Sequence, residues 1–269
     1  MIYLGTSAFA AGVLEQLTEL GHRPELIVTR PDRPKGRGRK VQAPPVAETA
    51  RYLGIALVQP EDVNAEDLGQ PDDIVLCAYG AIIREPLLSL RPILNLHPSL
   101  LPRWRGAAPI ERAIMAGDPE TGVSIMRLAE GLDSGPVCLA EPEPIRPDDS
   151  YGTLAKRLQD RGARLLARAL RERPPFAEQP EEGVTYAERI TAEDRTLRPD
   201  APPEANERVV RALHPHIGAR VQLDDGTWLG VHEARVGDGA LTWHGLELLQ
   251  VQPPGGRPMS AEAYLRGHP

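Results

Sequence analysis

The first half of the chain alternates between short apolar runs and longer amphipathic segments, and this alternation limits the folds it can adopt. The short runs have the length of buried strands and lie at residues 2–4, 25–29, 73–78, 93–96 and 123–128. The longer segments space their apolar residues as a helix does, at residues 9–20, 46–53 and 109–116. Strands that alternate with helices predict an α/β domain with a Rossmann-like, mostly parallel sheet covered on both faces.

The first turn of this pattern lacks a dinucleotide-binding fingerprint. Gly5 follows the first predicted strand, but Ser7 and Ala10 stand where the G-x-G-x-x-G motif needs its other two glycines. Gly5 is therefore interpreted as a tight-turn glycine, and a nicotinamide or flavin site at this turn is rejected. A ligand site is expected at the carboxyl ends of the strands, where open parallel sheets bind ligands.

The second half of the chain predicts a long helix, a linker and a small β-rich domain. Residues 151–173 place their leucines on one helical face, whereas residues 176–203 are rich in Pro, Glu and Asp and lack periodicity. Residues 204–269 contain one helical segment at 205–213 and then short strand-like pieces separated by Gly-containing turns. We expect a large domain over residues 1–175, a linker, and a smaller OB-like β-barrel domain from residue 204 onward.

The composition is that of an ordinary globular protein with an excess of acidic residues. The formal net charge of -7 argues against a chain held to nucleic acid by an overall positive field, although a local basic patch remains open. The sequence shows no signal peptide and no apolar run near the roughly 18 residues that a membrane span needs. We therefore expect a cytoplasmic location, no membrane attachment and no obligate protein partner.

The end of one predicted strand carries the most informative residues. Asn95 and His97 are two positions apart, so their side chains point to one face, and Pro98 then ends the strand because it has no backbone N–H. An amide donor beside an imidazole can stabilise an oxyanion and transfer a proton. Taken alone, however, His97 is more easily explained as a core histidine, so the assignment depends on its neighbours.

A glycine-flanked loop supplies a carboxylate that completes this group. Asp133 lies between Gly131 and Gly135, and a carboxylate on such a loop could orient His97 for proton transfer. No cluster of Cys and His residues has the spacing of a metal site, so we expect no metal.

The stretches around Asn95 and Asp133 resemble the catalytic motifs of the 10-formyltetrahydrofolate-dependent formyltransferases. The longest match, residues 95–109, begins Asn-Leu-His-Pro-Ser-Leu-Leu-Pro. Further matching segments lie at residues 30–40, 78–80, 121–126, 248–253 and 258–260. Within the family, the pattern is most similar to the members that act on methionyl-initiator tRNA. The resemblance covers nearly the whole first domain and the tail of the second.

This resemblance implies the transfer of a formyl group from 10-formyltetrahydrofolate, as co-substrate, to the amino group of methionyl-initiator tRNA. Asn95 would donate a hydrogen bond to the oxyanion that forms when the amine attacks the formyl carbon, and His97 would assist. One good donor of this kind lowers the barrier by about 2.7 to 4 kcal/mol. Asp133 would hold His97 and help to remove the amine proton.

The resemblance also implies where the folate binds. The segment of Ser99, Leu100, Leu101 and Pro102 matches the folate-contacting segment of the family, and Ala78, Tyr79 and Gly80 begin a stretch, ending at Ile83, that lines its pterin pocket. Trp104 and Arg105, within the same long motif, are interpreted as surface packing without a chemical role.

A basic stretch at residues 30–40 contains six Lys or Arg residues and one Asp. An isolated run of this kind is as often a solvated loop as a phosphate-binding site. In the family the matching loop enters the tRNA acceptor arm, and Arg37 stands at the position of the arginine that contacts it. The resemblance therefore implies a tRNA-binding set of Arg33, Lys35, Arg37, Arg39 and Lys40.

The second domain departs from the usual family pattern. Arg198 and Pro199 stand where the family has Asp-Trp, and residues 214–217 read His-Pro-His-Ile where it has Asn-Pro-Trp-Pro. These changes leave the predicted catalytic group untouched. Two alternatives stay open: formylation of another amine, such as an amino-sugar nucleotide, and a non-catalytic relative that binds folate or RNA.

Overall fold

The computed structural model describes residues 1–35, 40–223 and 225–267, and the chain forms two compact units. The first unit contains Met1–Arg105, Gly122–Glu143 and Lys156–Tyr186, and the second contains Gly106–Thr121, Pro144–Ala155 and Ala187–Pro269. Because each unit is assembled from separate stretches, the two units do not test the expected domain limits at residues 175 and 203. Those limits stay a prediction.

The first unit is built on a seven-stranded sheet with the strand order β10-β9-β7-β6-β1-β2-β5. Its strands, in chain order, are β1 (Ile2–Gly5), β2 (Leu26–Val28), β5 (Ala56–Val58), β6 (Ile74–Cys77), β7 (Ile93–His97), β9 (Glu120–Arg127) and β10 (Val137–Pro144). The pairs from β7 through to β5 are parallel, while β9 runs antiparallel to β7. The predicted Rossmann-like, mostly parallel sheet is therefore confirmed. Strand β5 was not anticipated from the sequence.

Three helices that accompany these strands begin and end close to the predicted positions, whereas a short one was not predicted. They are α1 (Ala8–Glu19), α2 (Pro45–Leu53), the short α3 (Leu87–Leu90) and α5 (Tyr151–Glu172). Helix α1 begins where the Oγ of Ser7 accepts a hydrogen bond from the N–H of Ala10 at 3.2 Å, which satisfies one of the free donors at the helix start. Helix α2 has proline in its first turn and ends at Gly54 with a φ of 63°.

Strand β7 is packed tightly by the helix above it. A Cβ atom added at Gly162 of α5 would lie 2.8 Å from Cδ1 of Leu96, so glycine is what allows the helix backbone to approach this strand. Ile93, Leu94 and Leu96 are all buried. The strand that carries Asn95 and His97 is thus fixed from both faces before any ligand binds.

The second unit holds a curled antiparallel sheet with the order β12-β13-β15-β14, and β16 pairs with β15. Its strands are β12 (Ala219–Gln222), β13 (Trp228–Val236), β14 (Thr242–Trp243), β15 (Leu246–Gln252) and β16 (Met259–Ser260), and its helices are α4 (Pro109–Ala116), α6 (Pro203–Leu213) and α7 (Ala261–Gly267). A core that includes Val221, Leu229, Leu246 and Leu248 fills the concave face. The predicted small β-rich, OB-like domain is present as this half-barrel.

Residues 176–203, which were expected to be a linker, form backbone hydrogen bonds with other segments of the chain. Ala177 exchanges two backbone bonds with Val137, at 2.8 and 2.9 Å, and Thr196 bridges to Arg220. Strand β11 (Tyr186–Ala187) pairs with β8 (Arg105–Gly106) in a two-stranded sheet. Isolated bridges of this kind leave no hydrophobic period, so the sequence pattern could not reveal them.

In the part of the chain that the structure describes, no helix is long and apolar enough to cross a membrane.

Candidate active site

Strand β7 places Asn95 and His97 at its carboxyl end, between the parallel β6 and the antiparallel β9. On β9, Met126 is paired with Asn95 and Ser124 with His97. Because side chains alternate along a strand, Asn95 and His97 share one face. Their exposed fractions are only 5% and 4%. A buried amide and a buried imidazole both need hydrogen-bond partners, so their contacts define what the site can do.

The carboxylate of Asp133, on the loop between β9 and β10, meets both of these side chains. Nδ2 of Asn95 donates to Oδ1 of Asp133 at 3.4 Å, and Nδ1 of His97 lies 3.6 Å from Oδ2. The structure therefore brings the three predicted catalytic residues together at the carboxyl end of β7.

The second ring nitrogen of His97 contacts the main chain of Trp104. Nε2 lies 2.8 Å from the carbonyl oxygen of Trp104. A carbonyl can only accept, so Nε2 is the donor and carries a proton. Trp104 adopts a φ of 63°, and its own N–H donates to Oγ1 of Thr185 at 2.9 Å. The interpretation of Trp104 as surface packing was incomplete, because its carbonyl sets the protonation pattern of the imidazole.

These two contacts prepare His97 to exchange a proton at Nδ1. With Nε2 committed to Trp104, Nδ1 is the nitrogen that can gain or lose a proton, and that proton would point toward the Asp133 carboxylate. Asn95 offers an N–H group beside the same carboxylate. The arrangement combines a hydrogen-bond donor, a proton carrier and an orienting carboxylate, which is the set of groups that acyl transfer to an amine requires.

A cavity of about 270 Å³ opens next to this group. Asn95 and Asp133 contribute to its polar wall, and Leu76, Ala81, Ile82, Ile83 and residues 128–132 form the rest. At its edge, Ile82 and Leu132 are 76% and 62% exposed, which is unusual for large apolar side chains. A mostly apolar slot with a few polar groups at one end is typical of a small-molecule site.

The predicted folate residues after β6 lie beside this cavity rather than in its wall. Ala78 and Gly80 are exposed and have positive φ values of 43° and 79°, and they lead into the lining residues Ala81, Ile82 and Ile83. Tyr79 points inward, and burial raises the pKa of its phenol, which makes it unsuited to serve as a base. Folate binding by Ala78, Tyr79 and Gly80 stays a prediction.

The other predicted folate segment is held by internal hydrogen bonds. The Oγ of Ser99, which is fully buried, donates to the carbonyl of Arg103 at 2.6 Å. The Oγ of Ser124 donates to the carbonyl of Ser99 at 2.8 Å and accepts from the N–H of Leu101 at 3.1 Å. Ser124 was not anticipated, because a single serine in an apolar strand gives no distinctive signal.

The side chains of Leu100, Leu101 and Pro102 are half-buried, and none of these residues is among those that line the cavity. Folate binding by Ser99, Leu100, Leu101 and Pro102 stays a prediction.

Within the basic stretch, β3 (Arg33–Lys35) pairs antiparallel with β4 (Lys40–Gln42). Lys35 and Lys40 are directly opposite each other across the pair, and Lys40 is exposed. The guanidinium of Arg33 lies 3.7 Å from the carboxylate of Glu61, and both side chains are largely exposed. The predicted tRNA contacts Arg37 and Arg39 lie outside the described residues.

Within the described residues, no three His, Cys, Asp or Glu side chains are arranged to hold a metal ion. The two cysteines are free thiols: Cys77 is buried in β6, whereas Cys138 in β10 is only half-buried. Neither thiol contributes to the group around Asn95, for which burial and hydrogen bonding supply the chemistry.

Known proteins are similar to this chain in both sequence and fold. The profile of the formyl transferase family matches residues 1–170. The methionyl-tRNA formyltransferase of Halorhodospira halophila is 42% identical over 99% of this chain and 96% of its own length, and that of Methylibium petroleiphilum is 41% identical over 98% and 95%. The fold resembles the crystal structure of a 4-N formyltransferase from Francisella tularensis with a TM-score of 0.68 at 16% identity, covering 86% of this chain and 95% of that one. The chain belongs to the formyl transferase family.

Proposed function

We propose that this protein transfers the formyl group of 10-formyltetrahydrofolate to the amino group of methionyl-initiator tRNA, in the cytoplasm, where charged initiator tRNA is used. The observation that carries the proposal is the convergence of Asn95, His97 and Asp133 beside a cavity, with contacts of 3.4 and 3.6 Å. Near-full-length similarity to enzymes named for this reaction supports the choice of acceptor.

In this proposal Asn95 stabilises the oxyanion. The amine attacks the formyl carbon, the carbonyl oxygen gains negative charge, and the bond to the folate nitrogen then breaks. Asn95 lies in the cavity wall, and its Nδ2 has two hydrogens, only one of which can be directed to Asp133 at a time. The other hydrogen is available for the oxyanion, where one donor is worth about 2.7 to 4 kcal/mol of barrier.

His97 and Asp133 manage the proton that the amine loses. Asp133 lies in the cavity wall, while His97 contacts it from the side of β7. The proton released by the amine is taken by this pair and returned to the departing folate nitrogen. Trp104 keeps Nε2 of His97 protonated, so Nδ1 performs the exchange.

The cavity suits the pterin end of the folate. The flat pterin ring needs an apolar slot with hydrogen-bonding groups at one end. The loops at residues 81–83 and 128–133 provide both. Ala78, Tyr79 and Gly80 would shape the entrance from one side. The segment of Ser99, Leu100, Leu101 and Pro102 would contact the folate beyond the pterin.

The basic stretch at residues 30–40 is proposed to bind the tRNA. Its lysine and arginine side chains would neutralise phosphates of the acceptor arm and release counterions. The proposed set is Arg33, Lys35, Arg37, Arg39 and Lys40. With a net charge of -7 the whole protein offers no general attraction for nucleic acid, so the tRNA contact must be local.

The proposal is tested by offering several amines to the purified protein with labelled 10-formyltetrahydrofolate. Methionyl-initiator tRNA should be formylated, and an amino-sugar nucleotide should not react. Formylation of the amino sugar but not of tRNA would replace the proposed acceptor. No transfer to any amine, together with retained binding of the folate, would identify a non-catalytic relative.

A further inference from the structure

The carboxamide of Gln179 holds the loop that carries Asp133. Its Nε2 donates to the backbone carbonyl of Asp133 at 2.8 Å and to that of Gly135 at 2.7 Å. Its Oε1 accepts two hydrogen bonds from Arg105, from Nε at 3.0 Å and from Nη2 at 2.8 Å. A single side chain therefore uses both donor hydrogens and both lone pairs in fixed contacts, which is the full capacity of an amide.

The loop that Gln179 holds has an unfavourable backbone. Asp133 adopts a φ of 42°, which is uncommon for a residue with a side chain. A Cβ atom added at Gly135 would lie 2.0 Å from the carbonyl oxygen of Arg127, so the chain there passes directly against β9. The backbone bond within the loop, from Ser134 to Gly131, is long at 3.4 Å. A strained loop keeps one conformation only when its surroundings determine it, and Gln179 supplies two such contacts.

Gln179 is itself held in place. Two residues earlier, Ala177 forms a pair of backbone hydrogen bonds with Val137, which follows the Asp133 loop and begins β10. Phe176 precedes Ala177, and its ring lies 5.5 Å from the guanidinium carbon of Arg127. These contacts anchor residues 176–179 to both ends of the Asp133 loop. They fix the position of the Gln179 carboxamide, although the segment has no regular secondary structure.

Arg105 connects Gln179 to the residue that contacts the other nitrogen of the His97 imidazole. Arg105 follows Trp104, whose carbonyl accepts the Nε2 proton of His97. The backbone N–H of Arg105 donates to the carbonyl of Thr185 at 2.9 Å. The contacts form a closed circuit from His97 through Trp104, Arg105, Gln179 and Asp133 back to His97. One connected set of residues thus surrounds both nitrogens of the ring.

We propose that Gln179, supported by Arg105, is a positioning residue that sets the geometry of the Asp133–His97 pair. The inference rests on the proposed function, since it assigns Gln179 an effect on the proton-transfer step. Its hydrogen bonds go to two backbone carbonyls of the loop and to Arg105, so Gln179 acts through the backbone of the loop. A neutral amide is required there, because it must face two carbonyl oxygens and a guanidinium at once.

The variants Gln179→Ala and Gln179→Glu distinguish the contacts of Gln179 with the Asp133 loop from its contacts with Arg105. Alanine removes every contact, whereas glutamate keeps an acceptor for Arg105 but loses the donors and sets a carboxylate against two carbonyls. We expect kcat to fall about 10- to 100-fold in both, with KM for folate and for tRNA within about twofold of wild type. The matched control is Glu178→Ala, at the exposed neighbouring position, which should leave both constants unchanged.

A readout independent of turnover completes the test. The pH profile of kcat and the NMR titration of the His97 ring should change in both Gln179 variants, in the direction produced by Asp133→Asn. Thermal unfolding identifies any variant that fails to fold. If Gln179→Ala does not fold, Gln179→Glu still tests the inference, because glutamate is nearly the same size and shape as glutamine. Wild-type kcat and an unchanged His97 titration in folded Gln179→Ala and Gln179→Glu would overturn the inference. If the wild type transfers no formyl group at all, the proposed function fails, and the His97 titration still decides the role of Gln179.

Discussion

Nδ1 of His97 lies 3.6 Å from Oδ2 of Asp133, while the opposite nitrogen of the same ring is held by the carbonyl of Trp104 at 2.8 Å. The Trp104 carbonyl therefore fixes one end of the imidazole, and the nitrogen beside the carboxylate is left to exchange a proton. This arrangement, rather than the presence of a histidine in the motif, is what makes the pair suitable for catalysis. It also predicts that the two residues act as a unit.

His97→Ala and Asp133→Asn should each lower kcat by about 100- to 10,000-fold, because proton transfer loses either its carrier or its orienting group. The double variant should be little worse than the worse single variant, since groups that act as a unit are strongly non-additive. Steady-state kinetics of the three proteins measures this. Independent, multiplicative losses would show that His97 and Asp133 have separate roles.

Asn95→Ala should lower kcat by about 100- to 1,000-fold through loss of the oxyanion donor, with only a small change in KM. Asn95→Asp is the sharper comparison, because it keeps the size of the side chain but replaces the donor with a carboxylate that repels the oxyanion. Both proteins are assayed with saturating substrates. If Asn95→Asp kept more activity than Asn95→Ala, the donor role would be contradicted.

Gly135→Ala should reduce turnover without contacting any substrate. The added Cβ would lie 2.0 Å from the backbone oxygen of Arg127, so the loop must move and carry Asp133 with it. A misplaced catalytic group of this kind costs about 100-fold in rate. The control is Gly267→Ala, where an added Cβ meets nothing within 4 Å. Equal turnover of the two variants would mean that the Asp133 loop tolerates displacement.

The ion pairs of Glu143 predict a stability that depends on pH. Glu143 in β10 accepts from Nε of Arg157 at 2.7 Å, and Nη2 of Arg161 lies 2.8 Å from its other oxygen. Burial alone would raise the pKa of this carboxyl, but the two arginines hold the pKa below its usual 4.5. A lowered folded-state pKa contributes stability that is complete above about pH 4.5 and is lost as the pH falls further.

Glu143→Gln should therefore lower the free energy of unfolding by about 2 kcal/mol at pH 7, since charge-assisted hydrogen bonds are lost. The difference between variant and wild type should shrink when the pH is lowered from 5 to 3. Urea unfolding at several pH values measures it. A difference that stays constant over this range would show that the charge of Glu143 is not what stabilises the fold.

Arg37→Ala should weaken the use of tRNA and leave folate binding unchanged. Loss of one phosphate contact lowers the slope of log kcat/KM against log salt concentration by about one unit. The matched control is Arg91→Ala, which removes an exposed arginine at the end of α3. The comparison is made with methionyl-initiator tRNA at two or more salt concentrations. Identical salt slopes for the two variants would assign the basic stretch to solvated charge.

The sequence alone predicts the α/β class, the positions of helices α1, α2, α4, α5 and α6, and the three residues of the candidate site, but it does not predict helices α3 and α7. The reason is local: strand and helix periods are written in short windows, and Asn95, His97 and Pro98 lie within one strand end. The long motif around them is a continuous stretch, so its resemblance to a family could be recognised without knowing the fold.

The hydrogen-bond partners of the candidate-site residues become apparent only in the tertiary structure. Gln179 lies in a segment without hydrophobic periodicity, Ser124 is one serine in an apolar strand, and Trp104 acts through its backbone carbonyl. None of these contacts depends on a residue type that a sequence pattern would single out. They arise because parallel and antiparallel strands bring distant segments to one sheet edge, where hydrogen-bond donors and acceptors must be satisfied.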